Sequence, residues 1–74
     1  MSAAILETIA KAIEFARKAG KRTATAAFIE DHDDKVAWGV INQLAVNGYT
    51  ASFSKSIADS YKEPIVSTEY EIKW

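Results

Sequence analysis

The last seven residues alternate strictly between core-type and charged side chains, and this pattern constrains the fold more than any other feature of the chain. Thr68, Tyr70, Ile72 and Trp74 occupy every second position, and the three residues between them are charged. Side chains on a β-strand point alternately to its two faces, so one face of this segment lies on a core and the other meets water. The pattern predicts a strand over residues 68–74 in a sheet with one exposed face.

Two earlier segments have the 3.6-residue spacing of amphipathic helices. The first is predicted over residues 3–19, and its apolar stripe is formed by Ile5, Leu6, Ile9, Ala12, Ile13, Ala16 and Ala19. The second is predicted over residues 33–47, and its stripe is formed by Val36, Ala37, Val40 and Leu44, with Ile41 on the edge. Gly20 and Gly48 follow these segments, where glycine commonly ends a helix in the left-handed conformation.

Two further segments alternate as strands do. Residues 23–29 predict a short strand, with Ala24, Ala26 and Phe28 on one face. Residues 49–54 predict another, with Tyr49, Ala51 and Phe53 on one face. Residues 55–66, which include Pro64, are predicted to form a long apolar loop through which the two late strands pair antiparallel. The expected fold is a single α+β domain of order α-β-α-β-β, with two helices packed on one face of a three-stranded antiparallel sheet.

Length and composition make this domain dependent on tight packing or on a partner. A chain of 74 residues without cysteine has no disulfide and no thiolate metal site. Such a chain buries only roughly 60% of the surface that its unfolded form exposes, so its stability is expected to be marginal. No apolar run approaches the roughly 20 residues that a membrane span needs, and no membrane interaction is expected.

The charge is divided between the two parts of the chain. Residues 1–22 carry five basic side chains and two acidic ones, whereas residues 23–74 carry four basic and eight acidic ones. This polarity within a net charge of −1 favours self-association or a protein partner over a nucleic-acid duplex. Enzyme chemistry is not expected, because one histidine, no cysteine and isolated glycines offer no catalytic or cofactor-binding motif.

Two charged clusters have both a structural and a functional interpretation. Glu30, Asp31, Asp33 and Asp34 surround His32, and Asp31 or Asp33 is placed to cap the second helix. Metal binding and mimicry of phosphate charge are the alternatives for these acids. A basic cluster at the end of the first helix complements the helix dipole, with phosphate contact as its alternative. It consists of Arg17, Lys18, Lys21 and Arg22.

Five apolar or aromatic residues are candidates for a protein interface. Phe15, Trp38 and Tyr61 lie off the predicted core faces or in the loop, and Ile57 and Ile65 make that loop more apolar than a simple linker. Aromatic residues are favoured anchors of interfaces, although a place at the periphery of the core is the alternative for Trp38. The terminal Trp74 must be held either by the rest of the chain or by another molecule.

The chain resembles a family of short proteins encoded by tailed bacteriophages. The resemblance rests on Gly20-Lys21 after the first helix, Gly48-Tyr49 after the second, and a final strand of the form Tyr-x-Ile-x-Trp at residues 70–74. It implies a phage protein that acts by binding, located in the host cytoplasm or in the virion, and it carries over no catalytic residues.

These observations predict a non-enzymatic protein that assembles with copies of itself or with other virion proteins. One alternative is an accessory factor that inhibits a host protein, with the acidic residues 30–34 imitating phosphate. Another is a winged-helix-like nucleic-acid-binding module, with residues 33–47 as the reading helix and residues 55–66 as the wing.

Overall fold

Two helices and three strands follow one another in the predicted order in a computed structural model, which describes residues 2–59 and 62–74 (residues 2 and 3 by their backbone alone). The elements are α1 (Ser2–Lys18), β1 (Thr23–Phe28), α2 (Asp34–Val46), β2 (Thr50–Ala58) and β3 (Ile65–Lys73). The strands form one antiparallel sheet. The predicted α+β class, with the order α-β-α-β-β, is therefore confirmed.

The terminal strand β3 lies in the middle of the sheet, because the strand order is β1-β3-β2. Its residue Tyr70 lies opposite Ala26 of β1 and Phe53 of β2. Opposed residues share a face, so the three strands present one continuous apolar face to the helices. Tyr70 and Ile72 are fully buried at its centre. The alternation of the final residues thus reflects a strand that is paired on both sides and covered on one face.

Both helices end in the left-handed glycine motif that the sequence predicts. The amide of Lys21 donates to the carbonyl of Ala16 over 2.9 Å, and Gly20 has a φ of +75°. The amide of Tyr49 donates to the carbonyl of Leu44 over 3.0 Å, and Gly48 has a φ of +90°. These bonds satisfy carbonyls that have no partner within the helix, and the glycines reach positive φ without a Cβ clash.

The helices bury slightly different stripes from those expected. On α1 the deepest residues are Ile5, Ile9, Ile13 and Ala16, whereas Ala19 is exposed because the helix ends at Lys18. On α2 the buried residues are Ala37, Val40, Ile41 and Leu44. Val36 is exposed, so the buried stripe of α2 is rotated toward Ile41 relative to the prediction.

The predicted long loop over residues 55–66 is wrong. β2 continues to Ala58, and β3 begins at Ile65. Ile57, Ile65 and Val66 are β-branched residues that favour extended chain, and the two strands keep their register to the pair Ala58–Ile65. β1 ends opposite Thr68, so the last part of this hairpin has only two strands. We call that part, Ser56–Ala58 with Ile65–Ser67, the arm.

Neither α1 nor α2 qualifies as a bilayer-spanning helix over the residues that the structure describes.

Candidate protein interfaces

The arm carries two of the predicted interface residues, on opposite faces. Ile57 pairs with Val66 on the helix side of the hairpin, and Ile65 pairs with Ala58 on the other side. Ile57 is 69% exposed and Ile65 is 43% exposed. A strand alternates its side chains, so residues paired at neighbouring positions must point to opposite faces. The arm therefore offers a partner an apolar contact on each of its faces.

A charged cluster fixes the base of the arm to the loop before α2. The ammonium of Lys55 lies 3.0 Å from a carboxylate oxygen of Asp31 and 3.2 Å from one of Asp34. Hydrogen bonds to Asp31 and then Asp34 raise the pKa of Lys55 above its ordinary value. Asp33 accepts a hydrogen bond from the amide of Lys35 over 2.8 Å, so Asp33 is the N-cap of the two candidates named from the sequence.

His32, which the sequence places among the acids of a polar loop, is buried and 5% exposed. Its Nδ1 lies 2.7 Å from the hydroxyl of Tyr70, and its Nε2 lies 3.3 Å from a carboxylate oxygen of Glu30. A carboxylate only accepts hydrogen bonds, so the contact to Glu30 places the proton of the neutral ring on Nε2. Nδ1 then accepts from the Tyr70 hydroxyl, and both ring nitrogens are engaged.

The same loop is held to β3 through Thr68, which is fully buried. The Thr68 hydroxyl donates to the carbonyl of Glu30 over 2.8 Å and accepts from the amide of His32 over 3.1 Å. The ring of Phe28 packs against those of His32 and Tyr70, with centroids 5.0 and 5.8 Å away. These contacts make the acidic loop an ordered part of the core boundary.

The candidate aromatic residues lie in different places. Phe15 is 78% exposed on α1, beside a groove between that helix and β1. Trp38 is 57% exposed, yet its ring packs edge-on against Phe53 at a centroid distance of 5.5 Å. Trp38 thus covers the border of the core while keeping an accessible face. Tyr61 lies outside the described residues.

Trp74 is held by its own chain at the basic end of the molecule. Its amide donates to the carbonyl of Arg22, and its ring meets Tyr49 edge-on at 6.0 Å. The guanidinium of Arg17 lies 5.2 Å from the centre of the Trp74 ring and donates to the Tyr49 hydroxyl over 3.0 Å. A cation over an aromatic face is attracted by the ring quadrupole, so Arg17 stabilises this cluster.

The structure therefore divides the predicted site residues among several surfaces. Ile57 and Ile65 lie on the arm, Phe15 lies beside β1, and Trp38 lies on α2. In the part of the chain that the structure describes, no three metal-ligating side chains form a group that could hold an ion. The involvement of His32 and Tyr70 in one network is not visible in the sequence, because 38 residues separate them. The one feature of the sequence that points to this network is a single histidine among acidic residues.

Comparison of the chain with protein-family models, with curated proteins and with solved structures finds no match.

Proposed function

We propose that the chain is a non-enzymatic protein that acts by binding another protein through the arm, as an assembly component of a tailed-bacteriophage particle. The observation that carries this proposal is the arm itself. It extends the sheet beyond β1 and exposes Ile57 on one face and Ile65 on the other. A hairpin of two strands is marginal in water, so an arm of this kind gains stability when a partner packs against its exposed isoleucines.

The base of the arm favours a binding role over a simple loop. Lys55 joins β2 to Asp31 and Asp34 at the position where β1 ends. An element whose base is held loses less conformational freedom when it binds, and that saving appears as affinity. The arm is thus built to present Ile57 and Ile65 in a defined orientation.

The phage setting comes from the resemblance described above. Gly20 and Gly48 end the two helices, and Tyr70 and Ile72 occupy the centre of the core. The residues that carry the resemblance are therefore those that build the scaffold. The arm is the part of that scaffold on which we place the contact with other virion proteins.

The experiment compares incorporation of arm variants into particles of a phage that encodes the chain. The test variant is Ile57→Ser with Ile65→Ser, and the control is Val46→Ser, which removes a more exposed aliphatic side chain from α2. Mass spectrometry of purified particles is expected to detect the wild type and the control in equal amounts. The arm variant is expected to fall at least about tenfold, because interface anchors carry most of the binding free energy.

Both substituted side chains are exposed, so we expect the arm variant to keep its fold. Circular dichroism of the purified variant checks this. Absence of the wild-type chain from particles and from assembly intermediates would remove the proposal. Equal incorporation of the arm variant would leave a virion protein but assign its contact to another surface.

A further inference from the structure

We infer that β1 is a dimerisation strand, which pairs antiparallel with β1 of a second copy across a two-fold axis. The two three-stranded sheets then form one six-stranded sheet, with both helix layers on the same side. The inference extends the proposed protein-binding function by naming one partner, the same chain, and a surface separate from the arm.

The first observation is that β1 has backbone groups free for pairing. In an antiparallel ladder, the N–H and C=O groups of successive residues point alternately to the two sides. The amide of Trp74 donates to the carbonyl of Arg22 over 3.1 Å, so Arg22 and every second residue after it turn toward β3. The backbone groups of Thr23, Thr25 and Ala27 therefore point to the open edge of the sheet.

The second observation is that this edge lacks the usual protection. Proteins guard edge strands with lysine, proline, bulges or charges that point inward. β2, the other edge, has Lys55 on its helix side, where it meets Asp31 and Asp34. β1 has no charged residue and no proline between Thr23 and Phe28, and it pairs with β3 without a bulge.

The third observation is that opposite charges flank β1, which favours a second copy of the chain as the partner. Lys21 and Arg22 precede β1, and Glu30 and Asp31 follow it. When two copies pair antiparallel with Ala26 opposite Ala26, Arg22 of each copy lies opposite Glu30 of the other, and Lys21 lies opposite Asp31. The side chains of Glu30 and Asp31 remain 70% and 62% exposed, so they are accessible to a second contact. β1 is thus the electrostatic complement of its own antiparallel copy, whereas parallel pairing would oppose like charges.

The fourth observation concerns α1, which would lie beside its own copy in this dimer. The residues of α1 that line the grooves shared with β1 are all uncharged. They include Ala4, Thr8, Ala12 and Phe15. Small side chains permit helices to approach to the roughly 8 Å lower limit of helix packing. Two antiparallel copies then place each exposed Phe15 against small residues of the other helix, near Thr8.

The experiment measures the dimer dissociation constant of the full chain by sedimentation equilibrium. Arg22→Glu and Glu30→Arg are each expected to weaken self-association by about tenfold or more, because each places two like-charge pairs in the interface. An equimolar mixture of the two variants is expected to recover the wild-type constant within about threefold, as a heterodimer. Each mixed interface contains attractive pairs only, so recovery would show that position 22 of one copy faces position 30 of the other.

A second pair of variants tests the strand itself. Thr25→Pro removes an amide that points away from β3, so it blocks pairing with a second copy without removing a bond of the sheet. Thr25→Ser keeps the amide and is the matched control. We expect a monomer for the proline variant and a dimer for the serine variant, with equal far-ultraviolet circular dichroism.

The inference would be overturned by a wild-type chain that stays monomeric at millimolar concentration, by a mixture of the charge variants that does not associate, or by a proline variant that dimerises normally. None of these results bears on the proposed binding function of the arm, which is tested separately by incorporation of the arm variant into particles. The same sedimentation measurement on Ile57→Ser with Ile65→Ser is expected to show an unchanged dimer. Loss of the dimer there would assign self-association to the arm.

Discussion

The hydroxyl of Thr68 serves two backbone groups of the loop before α2, and it does so in a fully buried position. Thr68→Val keeps the shape of the side chain and removes both hydrogen bonds. The amide of His32 and the carbonyl of Glu30 then lose this partner at the core boundary. We expect the free energy of unfolding to fall by about 2 kcal/mol, the usual cost of burying an unpaired polar group.

Urea unfolding followed by tryptophan fluorescence measures this loss. Ser56→Ala is the matched control, because it removes a hydroxyl whose contact with Ser67 is exposed. The control is expected to change stability by less than about 0.5 kcal/mol. Equal losses in the free energy of unfolding for the two variants would mean that the Thr68 hydrogen bonds do not hold the loop.

Tyr70 makes stability depend on alkaline pH. Burial raises the pKa of its phenol above the ordinary value of 10.0, and the positive charge of Lys55 opposes part of that rise. The folded chain therefore holds the phenol proton more tightly than the unfolded chain does. Stability from this group is complete below the ordinary tyrosine pKa and is lost as pH rises through and beyond it. The raised pKa of Lys55 acts in the same direction.

Tyr70→Phe separates the contribution of the Tyr70 phenol to this pH dependence from that of Lys55. At pH 7 we expect it to cost about 1 kcal/mol, because Nδ1 of His32 loses its hydrogen-bond partner. Above roughly pH 10 the variant is expected to lose stability less steeply than the wild type, since it has no phenol to ionise at this position. Urea titrations at several pH values give both quantities. Parallel pH profiles for the two proteins would contradict the assignment to Tyr70.

At the scale of the elements, the glycines after the two helices differ from the glycine within α2. Gly48 has a φ of +90°, and Gly39 is helical; a Cβ added to either would meet no atom within 4 Å. Only backbone conformation separates the two sites. Gly48→Ala is expected to lower stability by about 1 kcal/mol, and Gly39→Ala to raise it by about 0.5–1 kcal/mol.

Thermal unfolding of both variants under one set of conditions tests this opposition in sign. Each substitution adds the same methyl group, so each is the control of the other. A gain in stability from Gly48→Ala would show that the end of α2 relaxes out of the left-handed conformation at little cost.

The elements were predictable wherever a local signal specifies them. Gly20 and Gly48 mark helix ends because positive φ favours glycine. The cap of α2 was narrowed to Asp31 or Asp33, and Asp33 is the one whose carboxylate accepts from the amide of Lys35. The alternation of residues 68–74 predicted a covered strand because periodicity alone determines which side chains share a face. These features depend on few residues that are close in sequence.

The rest depends on contacts between distant residues. Residues 55–58 lack a clear alternation, and their extension into β2 follows from pairing with Ile65 and Val66 across the hairpin. The burial of His32 requires Thr68 and Tyr70, which sequence analysis assigns only to a distant strand. The candidate dimer surface is also hidden in the sequence, because the place of β1 at an edge follows from the sheet order. Phe15 was correctly placed off the buried stripe, but its neighbours were not predictable.

At the scale of the whole molecule, the fold converts a division of charge along the chain into a division in space. Arg17, Lys21 and Arg22 lie with the helix C-termini, and the acids of residues 30–34 lie with the start of α2 at the other end of β1. Antiparallel pairing of two copies would bring the opposite ends together. It would also direct the two arms away from each other, so that one dimer could contact two partners.

The dimer makes a further prediction about stability. Unfolding is linked to dissociation when only the folded chain dimerises, so the melting temperature rises with protein concentration. For a domain of this size, we expect a hundredfold increase in concentration to raise the Tm by roughly 5 °C. Differential scanning fluorimetry or calorimetry over that range measures the shift. Thr25→Pro is the control, and its Tm is expected to be independent of concentration.

Salt distinguishes this dimer from one held by apolar contact alone. The pairs between Arg22 and Glu30 of the two copies lie at the exposed ends of β1, where salt screens charges separated by more than the Debye length of about 10 Å at 0.1 M and 3 Å at 1 M. Raising the salt concentration from 0.1 to 1 M is therefore expected to weaken the dimer of the wild type and to change that of Arg22→Glu much less, because its two like-charge pairs with Glu30 offset the two attractive pairs between Lys21 and Asp31. A salt response of equal size in the two proteins would place these residues outside the interface.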